Sequence, residues 1–224
     1  MPADFYASNL SDEDFDKALK ELLIQTIKEH KAIIFNGNGY SDEWLEEAAR
    51  RGLPNLVSTV DALPHYMDPQ NIAMFEKFHV YTKEEIASRT DILLENYSKV
   101  INIEAMTMLD MTKKKLLPAA MEYGKKICDT AIAKKQLGLD ASAETKLAAD
   151  LDSNTAKMYE AMQALESKVN AAKEIGDVLE CAKAYRSQVF SAMSDLRTYA
   201  DQLEMLVSAE DWPLPPYSDL LFNV

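Results

Sequence analysis

Apolar residues repeat every three or four positions along most of the chain, which is the pattern of helices buried on one side. A first helix is predicted from Ser11, its N-cap, to near His30. A second helix is predicted over residues 41–52, because acids stand at its start, arginines at its end and Gly52 where a left-handed cap is needed. The apolar face of the first helix comprises Phe15, Leu19, Leu22, Leu23, Thr26 and Ile27.

The segments around the second helix follow a different pattern. Residues 32–35, Ala-Ile-Ile-Phe, form a short apolar run with β-branched residues, which predicts a strand that is closed by a turn over residues 36–39. Residues 53–66 are predicted to be a connection with at most a short extended piece, because Pro54 and Pro64 interrupt any ladder. The first part of the chain is therefore predicted to be a small α/β segment.

A long helix is predicted in the middle of the chain, after a short one over residues 68–78. Thr82 and Glu85 form the capping box that begins the long helix, which is predicted from Lys83 to Leu137. Pro118 is expected to kink it, because proline has no N–H and its ring crowds the preceding turn. Its apolar positions are Ile86, Leu93, Tyr97, Val100, Ile101, Met108, Leu109 and Leu116.

The most regular pattern follows Gly138, which is a natural helix stop. Two series with heptad-like steps of three and four predict an antiparallel helical hairpin that turns at Gly176–Asp177. Two helices cannot bury such faces alone, so the long helix is expected to complete an antiparallel bundle of long helices. The series are Leu147, Leu151, Asn154, Met158, Ala161 and Leu165, and Ile175, Val178, Ala182, Tyr185, Val189, Ala192, Leu196, Tyr199, Leu203 and Leu206.

Composition and charge exclude several classes of protein. The 224 residues carry 24 Lys and Arg against 37 Asp and Glu, a net charge of −13 that would repel nucleic acid and anionic membranes. No apolar run reaches the length of a membrane span, and the acidic N-terminus does not resemble a signal peptide, so a cytoplasmic protein is expected. Cys128 and Cys181 lie far apart without a CxxC pair, which favours two reduced thiols.

Candidate chemistry is sparse. Glu76 and His79 have the Glu-x-x-His spacing of di-iron bundles, but His30 and His65 form no second such motif, so surface roles are favoured over metal binding. Gly37 and Gly39 form a GxG, but the residues after them complete neither the dinucleotide-binding fingerprint nor the P-loop. A turn is therefore favoured over a phosphate-binding site. No serine or cysteine stands in a context typical of a nucleophile.

Several separated motifs, in this order, resemble the C-terminal part of type III glutamine synthetases. They are residues 33–41, IIFNGNGYS; 58–64, STVDALP; 88–89, SR; 94–99, LENYSK; 101–105, INIEA; 212–217, WPLPPY; and 220–222, LLF. The resemblance runs from about Phe15 to the last residue. It is specific because it rests on the order of several motifs.

The resemblance implies a parent enzyme that makes glutamine from glutamate, ammonia and ATP with Mg²⁺ or Mn²⁺. The family's catalytic barrel, with its metal-binding glutamates, would lie before Met1 of this sequence, so no catalytic residue and no cofactor site is assigned to this chain. Residues 1–66 would be the end of the catalytic domain, residues 67–224 a helical extension, and residues 212–224 a docking tail. The family-motif or interface residues are Asn36, Gly37, Asn38, Gly39, Arg89, Glu95, Asn96, Tyr97, Glu104, Trp212 and Phe222.

The resemblance also implies partners, because the family forms large double-ring oligomers. The catalytic domain and sister subunits are therefore the expected partners, without nucleic acid or membrane, and the extension is expected to be an assembly element. Phosphoryl chemistry needs clustered acids and arginines, whereas Arg89, Arg186 and Arg197 are scattered and are expected to pair with acids such as Glu85 or Asp201. A stand-alone helical protein-interaction module is the alternative, and a metal-dependent bundle enzyme around Glu76 and His79 is a third, weaker hypothesis.

Overall fold

The computed structural model describes residues 12–215 and 220–221 of the chain. Contacts divide the chain into two units, Met1–Val57 and Ser58–Val224, and each is considered by itself. Within the described ranges all regular structure is helical and no strand is formed. The predicted mainly α fold is confirmed.

The first unit consists of α1 (Asp12–Glu29), a 3₁₀ turn (Lys31–Ile33) and α2 (Asp42–Arg50). The predicted strand over residues 32–35 is wrong. The chain turns directly after α1, where the N–H of Ile33 donates to His30 O at 3.1 Å. A strand is stable only beside a partner strand, and the described residues supply none. The β-branched residues therefore lie in a tight turn.

The second predicted helix forms as expected and ends on a left-handed glycine. Gly52 has φ +73°, and its N–H donates to Ala49 O at 3.0 Å. The N–H of Leu53 donates to Ala48 O at 2.9 Å, which completes a Schellman motif.

The second unit holds the remaining helices. They are α3 (Thr59–Ala62), a 3₁₀ helix (Leu63–Met67), α4 (Pro69–Lys77), α5 (Lys83–Met111), a π-turn (Thr112–Leu116), α6 (Leu117–Gln136), α7 (Ser142–Lys173), α8 (Val178–Ala184), a second π-turn (Tyr185–Val189) and α9 (Phe190–Glu204). Residues 53–57 are irregular, as expected of a connection, whereas the rest of the predicted connection forms α3 and the 3₁₀ helix. Val60 and Leu63 are buried with Leu94 and Ala182, so the segment after Ser58 packs in the second unit.

The long predicted helix is present as α5 and α6 in one continuous helical run. Its capping box is confirmed, because Thr82 N–H donates to the Glu85 carboxylate at 2.8 Å and Glu85 N–H donates to Thr82 Oγ1 at 3.3 Å. A π-turn lies just before Pro118, where the wider turn accommodates the missing N–H, and the kink expected at this proline stays a prediction. Gly138, with φ +72°, terminates α6 as expected.

The antiparallel pair α7 and α9 packs with α5 and α6 around one core, which confirms the predicted bundle. Heptad-like positions of both series fill this core. Those exposed by 2% or less are Leu151, Met158, Leu165, Val189, Ala192, Leu196 and Leu203. The second unit therefore has the close-packed interior of an independent folding unit.

Candidate functional site

The central motif residues lie along α5, which begins at the capping box. Arg89, Glu95, Asn96 and Glu104 are exposed, whereas Tyr97 is half-buried against the core. The helix therefore presents most of these side chains to a surface and directs one inward.

Arg89 lies over an aromatic ring instead of pairing with an acid. Its guanidinium carbon is 4.5 Å from the centroid of Tyr81, a cation–π contact. Both residues line an apolar cleft of about 280 Å³ together with Tyr66. The expected pairing with Glu85 is not seen, because that carboxylate accepts the N–H of Thr82 in the capping box.

The phenol of Tyr97 lies among charged groups from three segments. Burial raises the pKa of Tyr97, Arg186 acts to lower this pKa, and Asp61 and Glu104 act to raise it. Since the pKa is raised overall from an ordinary value of 10.0, the phenol is protonated at neutral pH and can donate a hydrogen bond. Arg186 also contacts the ring of Phe190, at 5.2 Å from its centroid.

The second π-turn places a buried tyrosine against the same stretch of α5. Tyr185 is 3% exposed, and its hydroxyl donates to Asn102 Oδ1 at 3.2 Å. This bond leaves the amide N–H groups of Asn102 available to a cleft of about 260 Å³ that is also lined by Lys99 and Lys173. No proline explains this π-turn, and π-turns of this kind are frequent at functional sites. The cleft therefore offers hydrogen-bond donors.

In the first unit, a turn at the end of the motif segment 36–39 is held by Asn38. Asn38 Oδ1 accepts the N–H of Tyr40 at 3.0 Å, and Asn38 O accepts the N–H of Ser41 at 3.1 Å. Asn36 and Gly39 are exposed. A turn is present, but its hydrogen bonds span residues 38–41 rather than the predicted 36–39, and its geometry is that of an Asx turn rather than a phosphate-binding loop.

A cluster of aromatic and charged side chains flanks this turn. Phe35 stacks on Trp44 with ring centroids 4.5 Å apart, and Arg51 lies 5.7 Å from the Trp44 ring centroid. Arg51 Nε donates to Glu47 at 2.6 Å, and the hydrogen bonds from two arginines lower the pKa of Glu47 to about 2. At Gly37 an added Cβ would lie 2.4 Å from Phe35 Cζ, so only glycine fits without a shift of that ring.

Glu76 and His79, the weak metal candidates, have structural positions. Glu76 Oε1 accepts the N–H of Lys83 at 3.3 Å. His79 adopts φ 54° and caps α4 in a Schellman motif, since its N–H donates to Glu76 O at 3.1 Å and Val80 N–H donates to Phe75 O at 3.0 Å. Among residues 12–215 and 220–221, no three His, Cys, Asp or Glu side chains converge as metal ligands.

The C-terminal motif residues divide between the core and the undescribed end of the chain. Trp212 is 8% exposed in the main core, and its indole Nε1 is buried without a hydrogen-bond partner among the described residues. Leu214 also packs against this core, and the docking tail predicted over residues 212–224 stays a prediction. Phe222 lies outside the described residues.

Comparison with known proteins identifies the family of this chain. Residues 18–135 match the family model of the glutamine synthetase C-terminal domain. This chain belongs to that family. It is 39% identical to a glutamine synthetase of Butyrivibrio fibrisolvens over 97% of its length, and 31% identical to a type-3 glutamine synthetase of Dictyostelium discoideum over 93%. It is also 30% identical to a glutamine synthetase of Bacteroides fragilis.

The glutamine synthetase C-terminal domain accounts for only part of these relatives. The chain spans 31% of the Butyrivibrio protein and 29% of each of the other two. The resemblance inferred from the motifs is confirmed at the level of the family.

Some features of the site are beyond sequence reasoning. The π-turn at Tyr185–Val189 has no signal in the heptad-like series that contains it, and the left-handed backbone of His79 has no glycine to mark it.

The predicted pair of Arg197 with Asp201 is present at 3.2 Å, because both lie one turn apart on α9. Within the described ranges no helix is both long and apolar enough to cross a bilayer.

Proposed function

We propose that this chain is the C-terminal structural and oligomerisation region of a type III glutamine synthetase. In this proposal the upstream part of the enzyme makes glutamine from glutamate, ammonia and ATP with Mg²⁺ or Mn²⁺ in the cytoplasm. The first unit packs against the catalytic domain, and the helical unit contributes contacts between subunits.

The apolar surface of the first unit is the observation that carries this proposal. Within residues 14–57, Ala48 alone is buried. On α1, Leu23, Ile24 and Ile27 are 52%, 44% and 55% exposed. Such a surface costs about 25 cal/mol for each Å² of apolar area left in water, so the unit needs further protein against it. A catalytic domain that covers α1 is the partner that the family provides.

The second unit supports a structural role. Its core is continuous through the long helices, and its clefts are lined by surface lysines, arginines and aromatic residues rather than by a constellation for catalysis. Long helices held rigidly by such a core suit an element that contacts neighbouring subunits.

The residues of this chain do not fit the metal and nucleotide of the synthetase. Metal-assisted phosphoryl transfer needs converging carboxylates for Mg²⁺ or Mn²⁺ and cations for the phosphates. The described residues bring no three such metal ligands together, and Arg89 and Arg186 stack on aromatic rings. In this proposal ATP and the metal ion bind to the upstream part of the enzyme.

A chimera tests the proposal. The matching C-terminal region of the Butyrivibrio synthetase is replaced by this chain, and glutamine formation and sedimentation are compared with those of the parent and of a truncated synthetase. The chimera is expected to form glutamine and to assemble to the parent's size, whereas the truncated enzyme loses both. A well-folded chimera that behaves like the truncated enzyme would contradict the proposal.

The alternative is a stand-alone helical protein-interaction module. This alternative is favoured by two exposed leucines near the end of the chain, Leu220 at 64% and Leu221 at 69%. An immunoblot of the source cells separates the two. Since the chain equals 31% of the Butyrivibrio relative, a synthetase region predicts a band roughly threefold heavier than 25.2 kDa. A band at 25.2 kDa would favour the module.

A further inference from the structure

The cleft of about 260 Å³ beside Tyr185 is formed by several elements of the second unit, and we call it the Asn102 cleft. α5 supplies Lys99 and Asn102, and the end of α7 supplies Lys173. An apolar wall comes from the turn and the helix that follow α7. Clefts that bind drug-sized molecules have volumes of about 300–1,000 Å³. The Asn102 cleft is slightly smaller, so its size suits a small molecule.

The side chain of Asn102 is held in one orientation by a buried tyrosine. Tyr185 is 3% exposed, and its hydroxyl donates to Asn102 Oδ1 at 3.2 Å. The amide oxygen is therefore engaged, whereas the amide N–H groups donate to no acceptor among the described residues. An oxygen atom of a ligand in the cleft would complete the hydrogen bonding of this half-buried amide.

The charges around the cleft leave one lysine without a carboxylate. Glu95 and Lys99 both line the cleft and neutralise each other, with 2.9 Å between Oε2 and Nζ. Among the described residues Lys173 forms no ion pair, and its ammonium lies 3.9 Å from the Met106 sulfur. The cleft thus carries one uncompensated positive charge on a chain whose net charge is −13. A ligand with a single negative charge would balance it.

The remaining wall of the cleft is apolar. Ile175, Val178 and Cys181 are half-buried there, and the thiol of Cys181 donates to Ala172 O at 3.5 Å. Such a wall favours a ligand with a hydrocarbon part, since burial of apolar area contributes about 25 cal/mol for each Å².

A carboxylate matches this cleft better than a phosphate does. A phosphate monoester carries a charge of about −1.5 to −2 near neutral pH, which one lysine does not balance. A carboxylate carries one negative charge and accepts hydrogen bonds from both an amide and an ammonium. The chemistry of the cleft is therefore that of a monocarboxylate with a short hydrocarbon chain.

We propose that the Asn102 cleft binds a small aliphatic monocarboxylate. The carboxylate oxygens accept hydrogen bonds from the Asn102 amide and the Lys173 ammonium, and the hydrocarbon chain packs against Ile175 and Val178. The inference does not depend on the proposed function, because the residues that line the cleft all lie in the second unit of this chain.

Titration with butyrate tests the site by nuclear magnetic resonance on the isotope-labelled 224-residue chain. The backbone amide of Gly176, which lines the cleft, is expected to shift saturably, whereas that of Gly124 on α6 stays unchanged. n-Butanol lacks the charge and inorganic phosphate lacks the hydrocarbon chain, so each is expected to bind about tenfold more weakly or worse. Absence of a saturable shift with butyrate, or equal affinity for butanol or phosphate, would overturn the inference.

Two variants test the groups that hold the carboxylate. Asn102→Asp keeps an oxygen for the Tyr185 hydroxyl but replaces the N–H groups by a second carboxylate oxygen, so the dissociation constant of butyrate is expected to rise about tenfold or more. Lys173→Gln removes the charge and is expected to raise this constant about tenfold. Lys157→Gln is the matched control, because Lys157 is exposed several turns earlier on α7, outside the cleft.

The folded state of each variant is checked by circular dichroism. If folded Asn102→Asp or folded Lys173→Gln bound butyrate as tightly as Lys157→Gln does, the proposed contacts would be wrong.

The two cysteines provide a second measurement. Cys181 lines the cleft, and Cys128 is exposed on α6 as an internal control. At butyrate concentrations about ten times the dissociation constant, alkylation of Cys181 by iodoacetamide is expected to slow about tenfold, because few molecules then have an empty cleft. Peptide mass spectrometry measures both rates. Equal changes at Cys181 and Cys128 would place butyrate outside the cleft and contradict the inference.

Discussion

Single residues decide how the helices end, and the backbone conformation matters more than the chemistry of the side chain. Gly52, Gly138 and His79 all have positive φ two residues after the last residue of a helix. Glycine adopts this conformation without a steric penalty, so both glycines are readable as helix stops. His79 is the non-glycine example among the described residues, and its side chain suggests chemistry where the structure has a helix cap.

Replacing His79 by glycine is therefore expected to stabilise the protein. The left-handed conformation costs an L-residue about 1 kcal/mol, and glycine removes this cost. Part of the gain in stability is offset, because glycine gives the unfolded chain more conformational freedom. Urea denaturation followed by circular dichroism measures the change in unfolding free energy. Gly138→Ala is the converse control and should destabilise by about 1 kcal/mol. A loss of stability in His79→Gly would mean that the imidazole itself contributes to the fold.

Elements differ in how much of their structure is local. The capping box at Thr82 and Glu85 fixes the start of α5 from four consecutive positions, so sequence finds it. The apolar run at residues 32–35 has the composition of a strand, but strand formation depends on a partner that the described part of the first unit does not provide. The π-turn at Tyr185–Val189 likewise depends on packing between helices.

Removal of the cap at α5 tests the local contribution. Thr82→Ala is expected to destabilise the protein by about 1 kcal/mol, because the N–H of Glu85 loses its acceptor. Thr107→Ala is the matched control within the same helix, where the hydroxyl donates to Ile103 O and the side chain is exposed. Thermal or urea unfolding compares the two. Equal losses would show that the capping box contributes nothing specific.

At the scale of the whole molecule, the heptad-like series defines the core. Leu165 and Leu196 are 0% and 1% exposed, and both were predicted from spacing alone. The candidate site was less accessible to prediction. Sequence placed Tyr97 on the long helix, but it could not place Asp61 and Arg186 near its phenol, because these residues come from separate segments.

The core makes a quantitative prediction. Leu165→Ala is expected to lower the unfolding free energy by about 3 kcal/mol, because it removes buried methyl groups and leaves a cavity. Ile132→Ala, on the exposed side of α6, should cost far less. Urea denaturation measures both. A small loss of unfolding free energy in Leu165→Ala would contradict this prediction. It would mean that the bundle closes around the cavity left by the substitution, or that Leu165 does not lie at the centre of the core.

The sequence by itself determined the long helices, the capping box and the glycine caps, the hairpin and the family. These features depend on local spacing or on motifs in a fixed order, and both are present in the chain before it folds. Tertiary structure alone decided the turn that replaces the strand, the π-turn that brings Tyr185 to Asn102, and the side of α5 that stays outside the core. These depend on contacts between residues distant in sequence, whose free energies arise only when the helices pack.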